Sequence, residues 1–155
     1  MPAETRFLSA EDAGEIAQLH REAFPHRYWS EAEFLSLLQN GAQGLGLSPK
    51  QELSAFILYR TVLDEAEILT LVTAEAARKQ GHARQLLEQM ESTLQAVGIH
   101  RIFLEVAVDN IAAISLYHST GYTQFALRKN YYSRADGAKM DARLMQKLLA
   151  SATTS

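Results

Sequence analysis

The sequence contains no cysteine. That excludes a disulfide framework, a thiolate zinc site, an iron–sulfur cluster and a cysteine nucleophile. Long apolar runs are missing as well, since stretches such as Ala55-Phe56-Ile57-Leu58 are far too short to cross a bilayer. The first residues, Met1-Pro2-Ala3-Glu4-Thr5-Arg6, lack the apolar segment of a secretory signal, and the expected location is cytoplasmic. There is no excess of positive charge: 15 Lys and Arg stand against 18 Asp and Glu, a net charge of −3. Bulk binding to nucleic acid or an anionic membrane is therefore not expected.

Familiar site motifs are absent too. His20, His26, His82, His100 and His118 show no metal-pair spacing, so no metal is expected. No Gly-x-Ser-x-Gly elbow and no Gly-x-x-x-x-Gly-Lys-Ser/Thr loop occurs. The glycines of Gly41-Ala42-Gln43-Gly44-Leu45-Gly46 have the wrong spacing for a dinucleotide loop and follow a helix instead of preceding one. They read as a helix exit leading into a hairpin.

What remains is an ordinary globular composition, 47% hydrophobic and 21% charged over 155 residues. One domain is expected over residues 1–150, with 151–155 as a flexible tail. Thr5–Leu8 reads as a short strand, and Ser9-Ala10-Glu11-Asp12 has capping-box spacing before a helix that carries Ile16, Leu19, His20 and Ala23. A second box, Ser30-Glu31-Ala32-Glu33, opens a helix with Phe34, Leu37 and Leu38. Then the period falls to two, predicting strands over Gly44–Leu47, Leu53–Leu63 and Ala66–Val72. A helix is predicted from Gly81 to about Val97, a strand over Arg101–Val106 and a short helix capped by Asn110. Thr123–Leu127 and about Met140–Leu148 are the last strands, joined by a long polar loop. The order β α α β β β α β α β β predicts a single α/β (α+β) layered domain with a mixed, mostly antiparallel sheet of about six or seven strands.

Three features carry chemistry. Around Arg78-Lys79-Gln80-Gly81-His82-Ala83-Arg84 a helix opens at a glycine among basic residues. Free N–H groups at such a start cradle an anion, a pyrophosphate in particular, although an ordinary basic helix start would read the same way. Glu105 lies mid-strand, opposite the face of Ile102, Leu104 and Val106. Desolvation there suits a general base; the alternatives are a partner for an arginine or a solvent-facing side of the sheet. Tyr117 follows Asn110 by two helical turns, either as a proton donor near the strand ends or as core.

In this order the residues resemble the Gcn5-related N-acetyltransferases. Arg78-Lys79-Gln80-Gly81-His82-Ala83 is similar to the family's Arg/Gln-x-x-Gly-x-Gly/Ala signature. Leu104-Glu105-Val106, Asn110 through Tyr117, Thr120-Gly121-Tyr122, Ala23-Phe24-Pro25, Trp29-Ser30-Glu31 and Arg128-Lys129-Asn130-Tyr131-Tyr132 resemble the branch that acetylates the N-terminal alanine of a ribosomal protein. The similarity runs from about Phe7 to Leu144. Ala83 stands in place of the more usual second glycine, His82 replaces a common aliphatic, and about four extra residues lengthen the loop around His26–Tyr28.

The resemblance implies acetyl-CoA as cosubstrate, bound by Leu71, Val72, Thr73, Arg78, Lys79, Gln80, Gly81, His82, Ala83, Arg84, Asn110 and Tyr117. It implies Glu105 as base, Tyr117 as acid, a backbone N–H near Val72 as oxyanion donor, and Trp29, Tyr131 and Tyr132 against the acceptor. The implied acceptor is the α-amino group of a protein, a small-subunit ribosomal protein, attacked without a covalent enzyme intermediate. Two other readings are an acetyltransferase for a small amine or lysine side chain, and an acyl-CoA-binding module without turnover.

Overall fold

Ala55, Phe56, Ile57, Leu58 and Tyr59 have no solvent-exposed surface at all, on either face of their strand. A strand covered on both sides needs no polar alternation, and this one is the centre around which the layers form. The computed structural model describes residues 4–133 and 136–150; the expected tail, 151–155, lies outside them. Seven strands make one sheet: β1 (Thr5–Phe7), β2 (Gln43–Leu47), β3 (Ala55–Val62), β4 (Glu65–Thr73), β5 (Arg101–Ala107), β6 (Thr123–Ser133) and β7 (Lys139–Leu148). Their spatial order is β1-β2-β3-β4-β5-β7-β6. Only β4 and β5 run parallel. The helices are α1 (Ala13–Ala23), α2 (Glu31–Gln39), α3 (His82–Ala96) and α4 (Ile111–Ser119).

The expected α/β layering is present. On one face, α1 and α2 bury Ile16, Leu19 and Phe34 against Phe56, Leu58 and Val72. On the other, α3 buries Leu86, Leu87, Met90 and Leu94 against Leu45, Ile57, Tyr59, Ile68 and Leu104, with α4 beside it. Each large side chain so buried contributes about 1.5–3 kcal/mol. Ser30 accepts from the Glu33 N–H at 3.1 Å while Glu33 accepts from the Ser30 N–H at 3.2 Å, which closes the second capping box as read. Ser9-Ala10-Glu11-Asp12 closes as a box too, the Ser9 N–H donating to the Asp12 carboxylate at 2.8 Å, around a short 3-10 turn, Ala10–Asp12, that leads into α1 at Ala13.

Two strand boundaries differ from the sequence reading by two residues or more. β3 begins at Ala55, after Leu53 has given its N–H to the Glu15 carboxylate at 2.7 Å. The long loop expected after Leu127 is mostly strand, for β6 continues to Ser133. A wide bulge hides it: Arg128 pairs with Ala142 and Tyr132 with Met140, so three residues face Asp141 alone. Asn130 takes φ +56° there, and its N–H donates to the Asp141 carboxylate at 2.9 Å. That local break erases the alternation a strand is recognised by.

One irregularity positions the site. β4 and β5 pair only from Glu65/Arg101 to Ile68/Leu104. Beyond that point β4 carries a bulge against β3, where Tyr59 pairs with Ile68 and Leu58 with Thr70, leaving Leu69 extra. The bend turns β4 away from β5, and a wedge opens between them.

Candidate active site

Two clefts meet in this wedge. The larger, about 690 Å³, is lined by Leu71, Val72 and Thr73 of β4, by Arg78, Lys79, Gly81, His82, Ala83 and Arg84 at the start of α3, and by Asn110, Ala113, Leu116 and Tyr117. The smaller, about 120 Å³, is lined by His20, Phe24, Arg27 and Trp29, by Leu69–Leu71 and Leu104–Ala107, and by Asn110, Ala113, Tyr117 and Tyr132. Phe24, Leu71, Asn110, Ala113 and Tyr117 border both. The two clefts therefore adjoin along these residues.

The larger cleft has the makings of an anion site. The first helical bond of α3 runs from the Gln85 N–H to the Gly81 carbonyl at 3.0 Å, so the N–H groups of His82, Ala83 and Arg84 have no acceptor within the helix. Gly81 sits at φ +80°, and a Cβ built there meets nothing within 4 Å. The backbone is thus open to a close approach. The side chains of Arg78, Lys79 and Arg84 are exposed beside it. The Nδ1 of His82 lies 3.0 Å from the Ser54 hydroxyl, which ties the head of α3 to the start of β3. Gln80 borders neither cleft; its amide donates to the Ala76 carbonyl at 3.4 Å.

Strand phase decides which N–H groups face the wedge. The Ala74 N–H donates to the Ser54 carbonyl at 2.7 Å, and Ala55 pairs with Thr73. Hydrogen bonding alternates along an antiparallel pair, so Val72 and Thr70 point their N–H groups at β3. Leu71 and Thr73 point theirs the other way, where β5 has left.

Glu105 borders the smaller cleft, half-buried, with Arg128 Nη1 at 2.8 Å from its carboxylate. The arginine partner weighed from the sequence is present, on the bulged stretch of β6. The pair offsets the desolvation of the mid-strand carboxylate with a fixed cation. Tyr117 is buried and packs edge-on against Tyr122 at 5.5 Å. Burial, and then the neighbouring Tyr132, push its hydroxyl well above the ordinary tyrosine range, so it stays protonated. Behind it the Tyr122 hydroxyl donates to Glu91 at 2.9 Å, and Lys147 binds both Glu91 at 2.8 Å and the Thr120 carbonyl at 2.7 Å. This buttress joins α3, the end of α4 and β7.

Trp29 and Tyr132 line the smaller cleft, whereas Tyr131 does not. Tyr131 is exposed, with the Arg128 guanidinium 4.1 Å over its ring and Tyr132 edge-on. Arg27, in the lengthened loop, lies 5.1 Å over the Tyr132 ring and 4.0 Å from Asp109. Of the basic, aromatic loop His26-Arg27-Tyr28-Trp29, which the sequence places beside the acceptor, Arg27 and Trp29 line the smaller cleft. Sequence reading missed His20 and the Glu91–Lys147 buttress as parts of the site; the buttress joins residues 56 apart in sequence. Among the described residues no cluster of metal-binding side chains occurs.

Comparison with known proteins returns a consistent answer. A profile described as the acetyltransferase (GNAT) family matches residues 9–122. The ribosomal protein bS18-alanine N-acetyltransferase of Haemophilus ducreyi is 38% identical over 119 residues, 76% of this chain and 81% of that protein. The protein of the same name from Escherichia coli K12 is 35% identical over 130 residues, 83% of this chain and 87% of that one. The crystal structure of the E. coli ribosomal-protein-S18-alanine N-acetyltransferase superposes with a TM-score of 0.90 at 29% identity, covering 99% of this chain and 98% of that one. Arabidopsis thaliana NAA60, in complex with a bisubstrate analogue, shares the fold with a TM-score of 0.81 at 22% identity, over 96% and 100% of the two chains.

Proposed function

The chain belongs to the GNAT acetyltransferase family, and from that membership we propose that it acetylates the N-terminal alanine of ribosomal protein bS18, with acetyl-CoA as donor. The observation that carries this reading is the meeting of two clefts at Tyr117 and Leu71, backed by the identity to enzymes of that name. An α-amino group titrates near about 7.7–8.0 against about 10.4 for lysine, so a protein N-terminus is the easier amine to use at neutral pH.

The larger cleft fits the cosubstrate. The N–H groups of His82, Ala83 and Arg84, with the open backbone of Gly81 and the charges of Arg78 and Lys79, hold a pyrophosphate. Leu71 and Thr73 offer N–H groups on the wedge side to the oxyanion that forms on the thioester carbonyl oxygen when the amine attacks its carbon. Glu105, directly or through a water, takes the proton that the attacking amine loses. Tyr117 gives its proton to the departing thiolate. With no cysteine in the chain, amine attacks thioester directly.

The test is a panel of hexapeptides differing only at residue one, each with a free or a blocked amino terminus, incubated with acetyl-CoA and read by mass. A gain of one acetyl group on the free alanine peptide, and none on the blocked one, is the expected result. Faster acetylation of free polyamines or internal lysines than of any free N-terminus would replace the proposal with the small-amine reading.

A further inference from the structure

His20 is buried, on α1, yet its ring borders the smaller cleft. Three aromatic rings hold it in place: Trp29 stacked at 5.0 Å, Phe24 at 4.9 Å and Phe34 at 5.2 Å. The Trp29 backbone N–H donates to its Nδ1 at 3.0 Å. A nitrogen that accepts carries no proton, so the neutral ring must carry its proton on Nε2. None of the described residues accepts from Nε2. The Nε2 is not sealed from solvent, and the cleft that His20 borders is where an acceptor can arrive. The charged form is suppressed here, since burial pulls the group down to about 4, which keeps the tautomer fixed at neutral pH.

We propose that His20 is an acceptor-binding residue whose Nε2–H donates to a peptide carbonyl of the incoming chain, next to its free amino group. This rests on the smaller cleft being the acceptor side, as proposed above. The donor is fixed before the acceptor arrives, because the same ring is locked to the Trp29 wall through Nδ1. A free amine without an adjacent carbonyl gains nothing from it, so the contact selects peptides over simple amines.

The experiment compares His20→Asn and His20→Phe with Trp29→Ala and the unaltered enzyme, using an alanine-first hexapeptide. Asn keeps an acceptor near the Nδ1 position and Phe keeps the ring. Trp29 is the chain's one tryptophan, so its emission reports whether the wall is intact. Acceptor KM is expected to rise roughly tenfold in both His20 variants, the loss of about one neutral hydrogen bond, with acetyl-CoA KM within about twofold. In His20→Asn the emission maximum should match the unaltered enzyme, which separates the lost donor from a disturbed wall. An acceptor KM within about twofold in either His20 variant, while Trp29→Ala raises it, overturns the inference alone. If Trp29→Ala also leaves acceptor KM unchanged, the acceptor-side assignment of the cleft falls and the inference falls with it.

Discussion

A histidine that refuses a proton makes stability depend on pH. His20 is pulled from 6.5 to about 4 by burial, so between those values the unfolded chain binds a proton that the folded chain does not. Stability is therefore complete above about pH 6.5 and falls as the pH drops toward 4, by up to about 3 kcal/mol. Urea melts at pH 7.5 and pH 4.5 should show that loss, and His20→Phe should show much less of it. In the proposed reaction Glu105 and Tyr117 divide the two proton transfers, and their variants should behave differently. Glu105→Gln should lower kcat by roughly 10²–10⁴, the span of general acid–base catalysis, and the deficit should shrink as pH rises and the amine loses its own proton. A deficit equal at pH 6.5 and 9.5 would make Glu105 a binding group held by Arg128. Tyr117→Phe keeps the ring against Tyr122, so the melting curve should shift by about 1 kcal/mol or less while kcat falls and acetyl-CoA KM holds. Full turnover in the Phe variant would leave Tyr117 as core alone.

At the scale of elements, what the chain spells out depends on whether a signal is local. The capping box at Ser30, the glycine before α3 and the Asn110 cap, which accepts from the Ala113 N–H at 3.2 Å, act within four residues and are legible from the sequence. The hidden parts are contacts across the sheet. Arg128 reaches Glu105 over 23 residues, and the wedge depends on one extra residue, Leu69, that no periodicity marks. β6 went unread past Leu127 because its bulge is closed by Asp141 from the neighbouring strand. The head of α3 supplies a sharp test, since Gly81 has space around it but a backbone that side chains rarely adopt. Gly81→Val should therefore cost about 1–3 kcal/mol of stability through φ alone. It should also raise acetyl-CoA KM more than about tenfold by filling the open approach, with acceptor KM little changed. Thermal melts and steady-state kinetics on the folded variant check both, and an unaltered acetyl-CoA KM would remove the cradle from the cosubstrate site.

Over the described residues the molecule is a sheet of seven strands with a wedge cut between β4 and β5, and residues of α1, α3 and α4 line the clefts there. That arrangement governs the order of events. The two clefts are separate doors to one room, and Phe24, Leu71, Asn110, Ala113 and Tyr117 are the threshold they share. Under the proposed reaction a guest at one door need not bar the other, so either substrate is expected to enter first and both to be inside together. Initial-rate lines should then intersect, with spent CoA competing against acetyl-CoA while showing mixed inhibition against the peptide. Parallel lines, the mark of a group parked on the enzyme between visits, would contradict a room with two doors. On the same reading the spent carrier and the finished peptide should leave by different exits, neither waiting for the other.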